Sequence, residues 1–219
     1  MNQQNSVFYA FLILVVSLTM SLGAPQSATA VLVPVTGYEV PTREENTLPS
    51  FQDFITDLST GDAGELVGVY VNKAFAYPVV QQPAGNPAFV SNEADVLTEF
   101  SLAEQYGSTG LLAHNDLAGE SFDRLEKAQQ VTLVFGDGSV QDYTVTEVRV
   151  FQALSPYSPY SNFKDLESQQ VLSSTDLFLQ TYAVEDVLVF QTCLEKDGIN
   201  SWGRVFVIAQ PLNNSILDL

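Results

Sequence analysis

Val187-Leu-Val-Phe-Gln-Thr-Cys193, followed after a polar stretch by Trp202-Gly-Arg204-Val-Phe-Val-Ile-Ala209, decides how this chain folds. Both runs are short and rich in β-branched and aromatic residues, the composition of a strand rather than a helix. Leu194 to Gly203 between them reads as a ten-residue loop, reversed at Asp197-Gly198 because these two residue types tolerate positive φ. Two neighbouring antiparallel strands follow from this reading. Cys193 closes the first and Arg204 opens the second, at the same end of the pair. Cys193 is also the only cysteine in the 219 residues.

Working outward, the same kind of run recurs at Leu66 to Val71, Tyr77 to Val80, Leu111 to Ala113, Val131 to Phe135 and Val140 to Phe151. Phe135-Gly-Asp-Gly-Ser139 is a tight reversal between two of them. About seven strands without regular intervening helices predict an all-β chain closed, or nearly closed, into a barrel. Short helices are expected near Ser121 to Ala128 and Ser173 to Tyr182. Ahead of the strands, Leu48, Phe51, Phe54, Ile55 and Leu58 fall at helical spacing, so Leu48 to Ser59 reads as one amphipathic helix docked on the barrel. Ala153-Leu-Ser-Pro-Tyr-Ser-Pro-Tyr-Ser161 begins a long loop whose Tyr157 and Tyr160 are candidates to line a groove for an extended peptide.

A chain of this length with 46% hydrophobic residues buries one substantial core. Eight Lys and Arg against 26 Asp and Glu give a formal charge of −18, and no basic cluster occurs, which excludes nucleic acid as a partner. Glu93, Asp95 and Glu99 do not follow a calcium-loop spacing, so no metal is expected, and nothing calls for a cofactor. Residues 1–30 carry no charged side chain, and Val7 to Gly23 is a predominantly apolar run. Ala28-Thr-Ala30 fits a signal-peptidase site and favours cleavage, whereas the length of the apolar run nearly suffices for a membrane span. Both readings export the remainder of the chain. Residues 31–47 read as a linker, and the membrane is met only through the N-terminal segment.

The chemistry-bearing residues are few. One histidine exists, His114 in Leu111-Leu-Ala-His-Asn115, so Cys/His chemistry has a single candidate pair. Thr192 and Arg204 add a hydroxyl and a guanidinium near the end of the cysteine strand. Taken in order, His114, then Thr192-Cys193 closing an apolar strand, then Arg204 opening another, resemble the sortases, cysteine transpeptidases of bacterial surfaces. The resemblance runs from about Leu66 to Pro211. It takes in the Gly107 to Gly110 turn, the Phe122 to Leu125 segment, and the hairpin through Val131 to Phe135, Asp137-Gly138 and Tyr143-Thr-Val145. One departure is Val189-Phe190-Gln191 before Thr192-Cys193, where the family more usually has a Thr-Leu start, and it bears on substrate preference.

The resemblance implies a sortase-like β-barrel of seven to eight strands over residues 48–219, with a few short helices and an N-terminal export or anchor segment, uncleaved as is usual in the family. It implies Cys193 as nucleophile, His114 as acid and base, and Arg204 as a donor to the oxyanion or to the substrate. Thr192, Tyr157 and Tyr160 are expected at the substrate. The implied partners are a surface protein bearing an LPXTG-type sorting signal, cut between Thr and Gly, and an amine acceptor. A catalytically silent surface barrel that binds extended peptide or polysaccharide is the rival expectation.

Overall fold

The apolar runs pair into a single sheet in a computed structural model that describes residues 48–158 and 160–212. Its strands are β1 (Leu66–Val71), β2 (Phe75–Gln81), β3 (Leu97–Glu99), β4 (Thr109–Leu112), β5 (Gln130–Phe135), β6 (Val140–Ala153), β7 (Phe163–Asp165), β8 (Val171–Leu172), β9 (Leu188–Lys196) and β10 (Ile199–Pro211). The order β10-β9-β4-β3-β2-β1-β5-β6 returns to β10 through a β6–β10 pairing, which closes eight strands into a barrel. The expected barrel of seven to eight strands is therefore the fold observed. β7 and β8 extend the sheet beyond β6. Pairing is antiparallel except for β2–β3 and β4–β9.

Side-chain alternation divides the apolar residues between two layers. Leu188 and Phe190 of β9 join Val69, Leu97, Leu133 and Val207 in one cluster, while Val189 joins Phe100, Phe151, Phe178 and Phe206 in another. The first fills the barrel; the second lies on the outer side of β9 and β10, under the helix α3 (Ser174–Tyr182). Ser173 caps α3, its hydroxyl accepting from Asp176 N–H at 3.1 Å. The helix α1 (Phe51–Leu58) docks through Phe54 on Val67 and Val134, as the helical spacing anticipated. Its Ser50 cap accepts from Asp53 N–H at 3.2 Å.

Several boundaries differ from expectation, each for a local reason. Residues 194–203 are not a ten-residue loop: β9 continues to Lys196, β10 starts at Ile199, and only Asp197-Gly198 turns, at φ 54° and 77°. Glu195, Lys196, Ile199 and Asn200 are not buried on this projecting ribbon, so the apolar alternation that marks a strand is missing there. The helix expected at Ser121 to Ala128 is a 3-10 helix at Ala118–Arg124. β3, β7, β8 and the single-turn α2 (Ser101–Glu104) are too short to show a period. The N-terminal segment 1–30 and the linker 31–47 lie outside the described residues. Among the described residues, no helix is long and apolar enough to cross a membrane.

β7 is fastened to β6 by charge as well as by ladder bonds. Arg149 Nη2 lies 3.3 Å from Asp165 Oδ2 and its Nε 3.5 Å from Glu147 Oε1. Burial pulls the Asp165 carboxyl upward, but N–H donors from Ser168 and Glu167 and the Arg149 guanidinium outweigh it and hold the pKa below the ordinary aspartate value. A depressed carboxylate stabilises the fold above the unfolded-state pKa of about 3.9, and that contribution is lost as pH falls through the lower folded value. Thermal melts of the wild type and Asp165→Asn should therefore converge on acidification below about pH 4, the wild type being the more stable at neutral pH. Parallel melting curves across that window would contradict this assignment.

Candidate active site

The cysteine strand is bordered on both sides, and its two registers determine what stands beside the thiol. In the antiparallel β9–β10 pair, Cys193 is the direct partner of Arg204. Directly opposed residues place their side chains on one face. In the parallel β4–β9 pair, Thr109 is level with Leu188 and Leu112 with Gln191. Two bonds carry that offset past the end of β4: Ala113 N–H donates to Gln191 O at 3.3 Å, and Thr192 Oγ1 donates to Ala113 O at 3.0 Å. The ladder itself ends at Leu112 and Gln191, and the same offset carried two residues further leads to His114 and Cys193. Cys193 and Arg204 thus stand in one row on strands about 4.8 Å apart, and the offset carried on from Leu112 extends that row to His114.

The row faces the outer layer. Cys193 alternates with Val189 and Gln191, and Arg204 with Phe206, all on the side away from Leu188 and Phe190. Cys193 and His114 are half-buried, whereas Arg204 is only 3% exposed. Arg204 Nη1 donates to Gly203 O at 2.7 Å and reaches Ser201 O at 3.5 Å, and the guanidinium carbon stands 5.9 Å from the centre of the Phe163 ring. The irregularity between Ile199 and Gly203 in the β9–β10 ladder supplies those carbonyls. Among the described residues no carboxylate lies within ion-pair distance of Arg204. A buried guanidinium with two carbonyl partners and no counter-ion can receive negative charge that develops beside it.

Thr192 is placed differently from a substrate contact. It points to the other side of the strand, is 4% exposed, and spends its proton on Ala113 O. Its hydroxyl ties β9 to the segment that carries His114. The segment after His114 is drawn back onto the same point, with Leu117 N–H and Gly119 N–H both donating to His114 O at 3.1 and 3.0 Å. Gly119 is where the 3-10 helix touches the row: a Cβ there would overlap Thr192 Oγ1 and come within 2.6 Å of His114 O.

Tyr157 and Tyr160 are 74% and 65% exposed on the loop after β6. Ser201 Oγ donates to Pro156 O at 3.0 Å, which anchors this loop to β10 three residues before Arg204. Sequence reasoning did not single out Gly119, Phe163 or the pair Tyr182 and Gln191. Tyr182 Oη donates to Gln191 Oε1 at 2.9 Å, wholly buried, and that burial pushes the phenol pKa upward. Gln191 stands two residues before Cys193 on its face, so the pair fixes the strand from beneath. The sequence signal was present, since a glutamine inside an otherwise apolar strand requires a buried partner.

No protein-family model matches the sequence, and comparison with curated proteins returns no match. Solved structures that resemble the chain include several sortases. Streptococcus agalactiae sortase C1, in complex with MTSET, aligns with 67% of this chain at 17% identity and a TM-score of 0.42. The chain spans 66% of that protein's length. Listeria monocytogenes sortase A aligns with 69% of this chain and 88% of its own, at 13% identity and a TM-score of 0.42. Clostridium perfringens sortase C, solved with the C-terminal cell wall sorting motif, aligns with 74% of this chain and 83% of its own, again at 13% identity and 0.42. The barrel described above rests on its own strand pairings.

The close approach at Gly119 generates a test. Gly119→Ala must push the 3-10 helix off Thr192 and the His114 carbonyl, and overpacking of this kind costs about 1–3 kcal/mol. The melting temperature should fall by roughly 2–12 °C for a protein of this size. Gly119→Ala with an unchanged melting temperature would show that the helix does not bear on the row.

Proposed function

We propose that this protein is a sortase-like cysteine transpeptidase. What supports the reading is the pairing of the single cysteine with a buried arginine that meets no carboxylate among the described residues, and the place of the single histidine just past the end of the strand on the other side of β9. Such a set matches the needs of acyl transfer through a thioester. Cys193 Sγ attacks the carbonyl carbon of the substrate threonine, and the oxygen takes up negative charge. Arg204 stands beside the thiol in register and would donate to that oxygen, or hold the substrate, by exchanging one of its bonds to the Gly203 and Ser201 carbonyls. The Thr–Gly carbon–nitrogen bond then breaks, and the leaving amine takes its proton from His114.

The resulting acyl-enzyme holds the substrate as a thioester on Cys193. An incoming amine gives its proton to neutral His114, attacks the thioester carbon, and releases the Cys193 thiolate beside the imidazolium with a new amide bond formed. Histidine therefore serves as acid in the first half and base in the second. The sorting signal of LPXTG type and the amine acceptor come from the sequence resemblance. The Tyr157 and Tyr160 loop, tethered next to Arg204, would lie along the bound peptide, and Thr192 would act by positioning His114 rather than by touching substrate. An N-terminal export or anchor segment would set this chemistry on the outer side of the membrane.

Incubation with a labelled sorting peptide, with and without a competing amine, tests the reading. The wild type should release the C-terminal fragment and, with the amine, form a ligated product, while Cys193→Ala forms neither. Arg204→Lys should lose about 100- to 1,000-fold in turnover, since an ammonium keeps the charge but not the fork. Because Arg204 is buried and bonded to backbone carbonyls, the rate is to be expressed per folded enzyme. Cleavage by Cys193→Ala at the wild-type rate would remove the nucleophile.

A further inference from the structure

A second site lies on three strands that carry none of His114, Cys193 and Arg204. Tyr70 of β1, Thr132 of β5 and Asp142 of β6 are direct partners in register, forming a row across the outer side of the barrel. Their neighbours Val69, Leu133 and Tyr143 point the opposite way, into the barrel core. The row is the floor of a cavity of about 380 Å³. Phe51 of α1 overhangs it, meeting Tyr70 edge to face at 5.0 Å between ring centres, and Asn72 and Gln130 stand at its rim. Both rim amides are exposed. The volume falls in the range of small-ligand sites, about 300–1,000 Å³.

We infer that this cavity is a binding site for a neutral glycan. Four observations select that class. First, the lining holds no Lys or Arg and a single carboxylate, Asp142, on a chain of formal charge −18, which turns away phosphate, sulfate and uronate groups. Second, Asp142 is oriented before any ligand arrives: Thr132 Oγ1 donates to its Oδ1 at 2.6 Å, leaving Oδ2 to accept from sugar hydroxyls. Third, the Asn72 and Gln130 amides each offer a donor and an acceptor in one plane, which suits the alternating donors and acceptors of vicinal hydroxyls or an N-acetyl group. Fourth, Phe51 and Tyr70 offer aromatic surface, which the C–H face of a pyranose ring can cover.

An extended peptide is the less suitable occupant. Peptides that dock on sheets add a strand through backbone bonds, and β1, β5 and β6 are each already paired on both sides, so no backbone edge is open there. Recognition must run through side chains alone. The site would let the barrel hold a surface polysaccharide while its other face acts on a second molecule, and the inference does not depend on what that face does.

Calorimetric titration of the full-length chain tests this with an N-acetylglucosamine hexamer, maltohexaose, a uronate hexamer of equal length and an extended polar peptide. At least one neutral hexasaccharide should bind, the uronate should not, and the double substitution Asn72→Ala with Gln130→Ala should weaken binding by at least about tenfold. Both rim residues are exposed, so the melting temperature and the cleavage of a sorting peptide should be unchanged in that variant. The inference is overturned if neither neutral hexamer binds at millimolar concentration, if the double variant binds as well as the wild type, or if the uronate or peptide binds as tightly as the sugars. Loss of sorting-peptide cleavage with intact glycan binding would count against the transpeptidase reading alone.

Discussion

The parallel offset between β4 and β9 is the constraint on which the remainder of the site depends. It is enforced beyond the last paired residue of β4 by the Ala113 N–H on Gln191 O and by the Thr192 hydroxyl on Ala113 O. A slip of one residue would set His114 beside Thr192 or Leu194, whose side chains lie on the opposite face from the thiol. The buried Tyr182–Gln191 bond and the seat of Gly119 against Thr192 resist that slip from the two sides of the strand. Positions that touch no substrate in the proposed reaction therefore set its geometry. The antiparallel pairing to β10 then brings Arg204 into the row without further adjustment.

Electrostatics give the row its character. On a chain with 26 acidic residues, a buried arginine would ordinarily draw a carboxylate, as Arg149 draws Asp165 and Glu147. Arg204 instead rests on two backbone carbonyls and an aromatic ring. Carbonyls satisfy donors without cancelling the charge, so a cation is kept next to the thiol in a water-poor setting. A carboxylate in its place would neutralise the guanidinium and compete with a developing oxyanion. The acidic composition and an interior cation that meets no carboxylate among the described residues are complementary features of one charge distribution.

Much of this was legible in the sequence because it rests on period and uniqueness. Strand runs such as Val131 to Phe135 and Val187 to Thr192 bury residues on two faces and are dominated by β-branched, aromatic and leucine side chains, and one cysteine and one histidine leave a single pairing. The ribbon from Leu194 to Gly203 was misread because a two-residue turn between solvent-facing strands carries no hydrophobic pattern. β3, β7 and β8, of two or three residues, are strands through their neighbours rather than their own composition. The tasks of Thr192 and Gly119 were hidden for another reason: both depend on contacts between segments more than seventy residues apart, which no local pattern encodes.

The central claim is that this row forms a thioester on Cys193. Intact-mass and fragment mass spectrometry of the protein, quenched in acid during turnover of a sorting peptide, reads that bond directly. The predicted result is an added mass equal to the N-terminal acyl fragment of the peptide, located on Cys193 and removed by hydroxylamine. Peptide cleavage with Cys193 unmodified, or with the adduct on another residue, would contradict it.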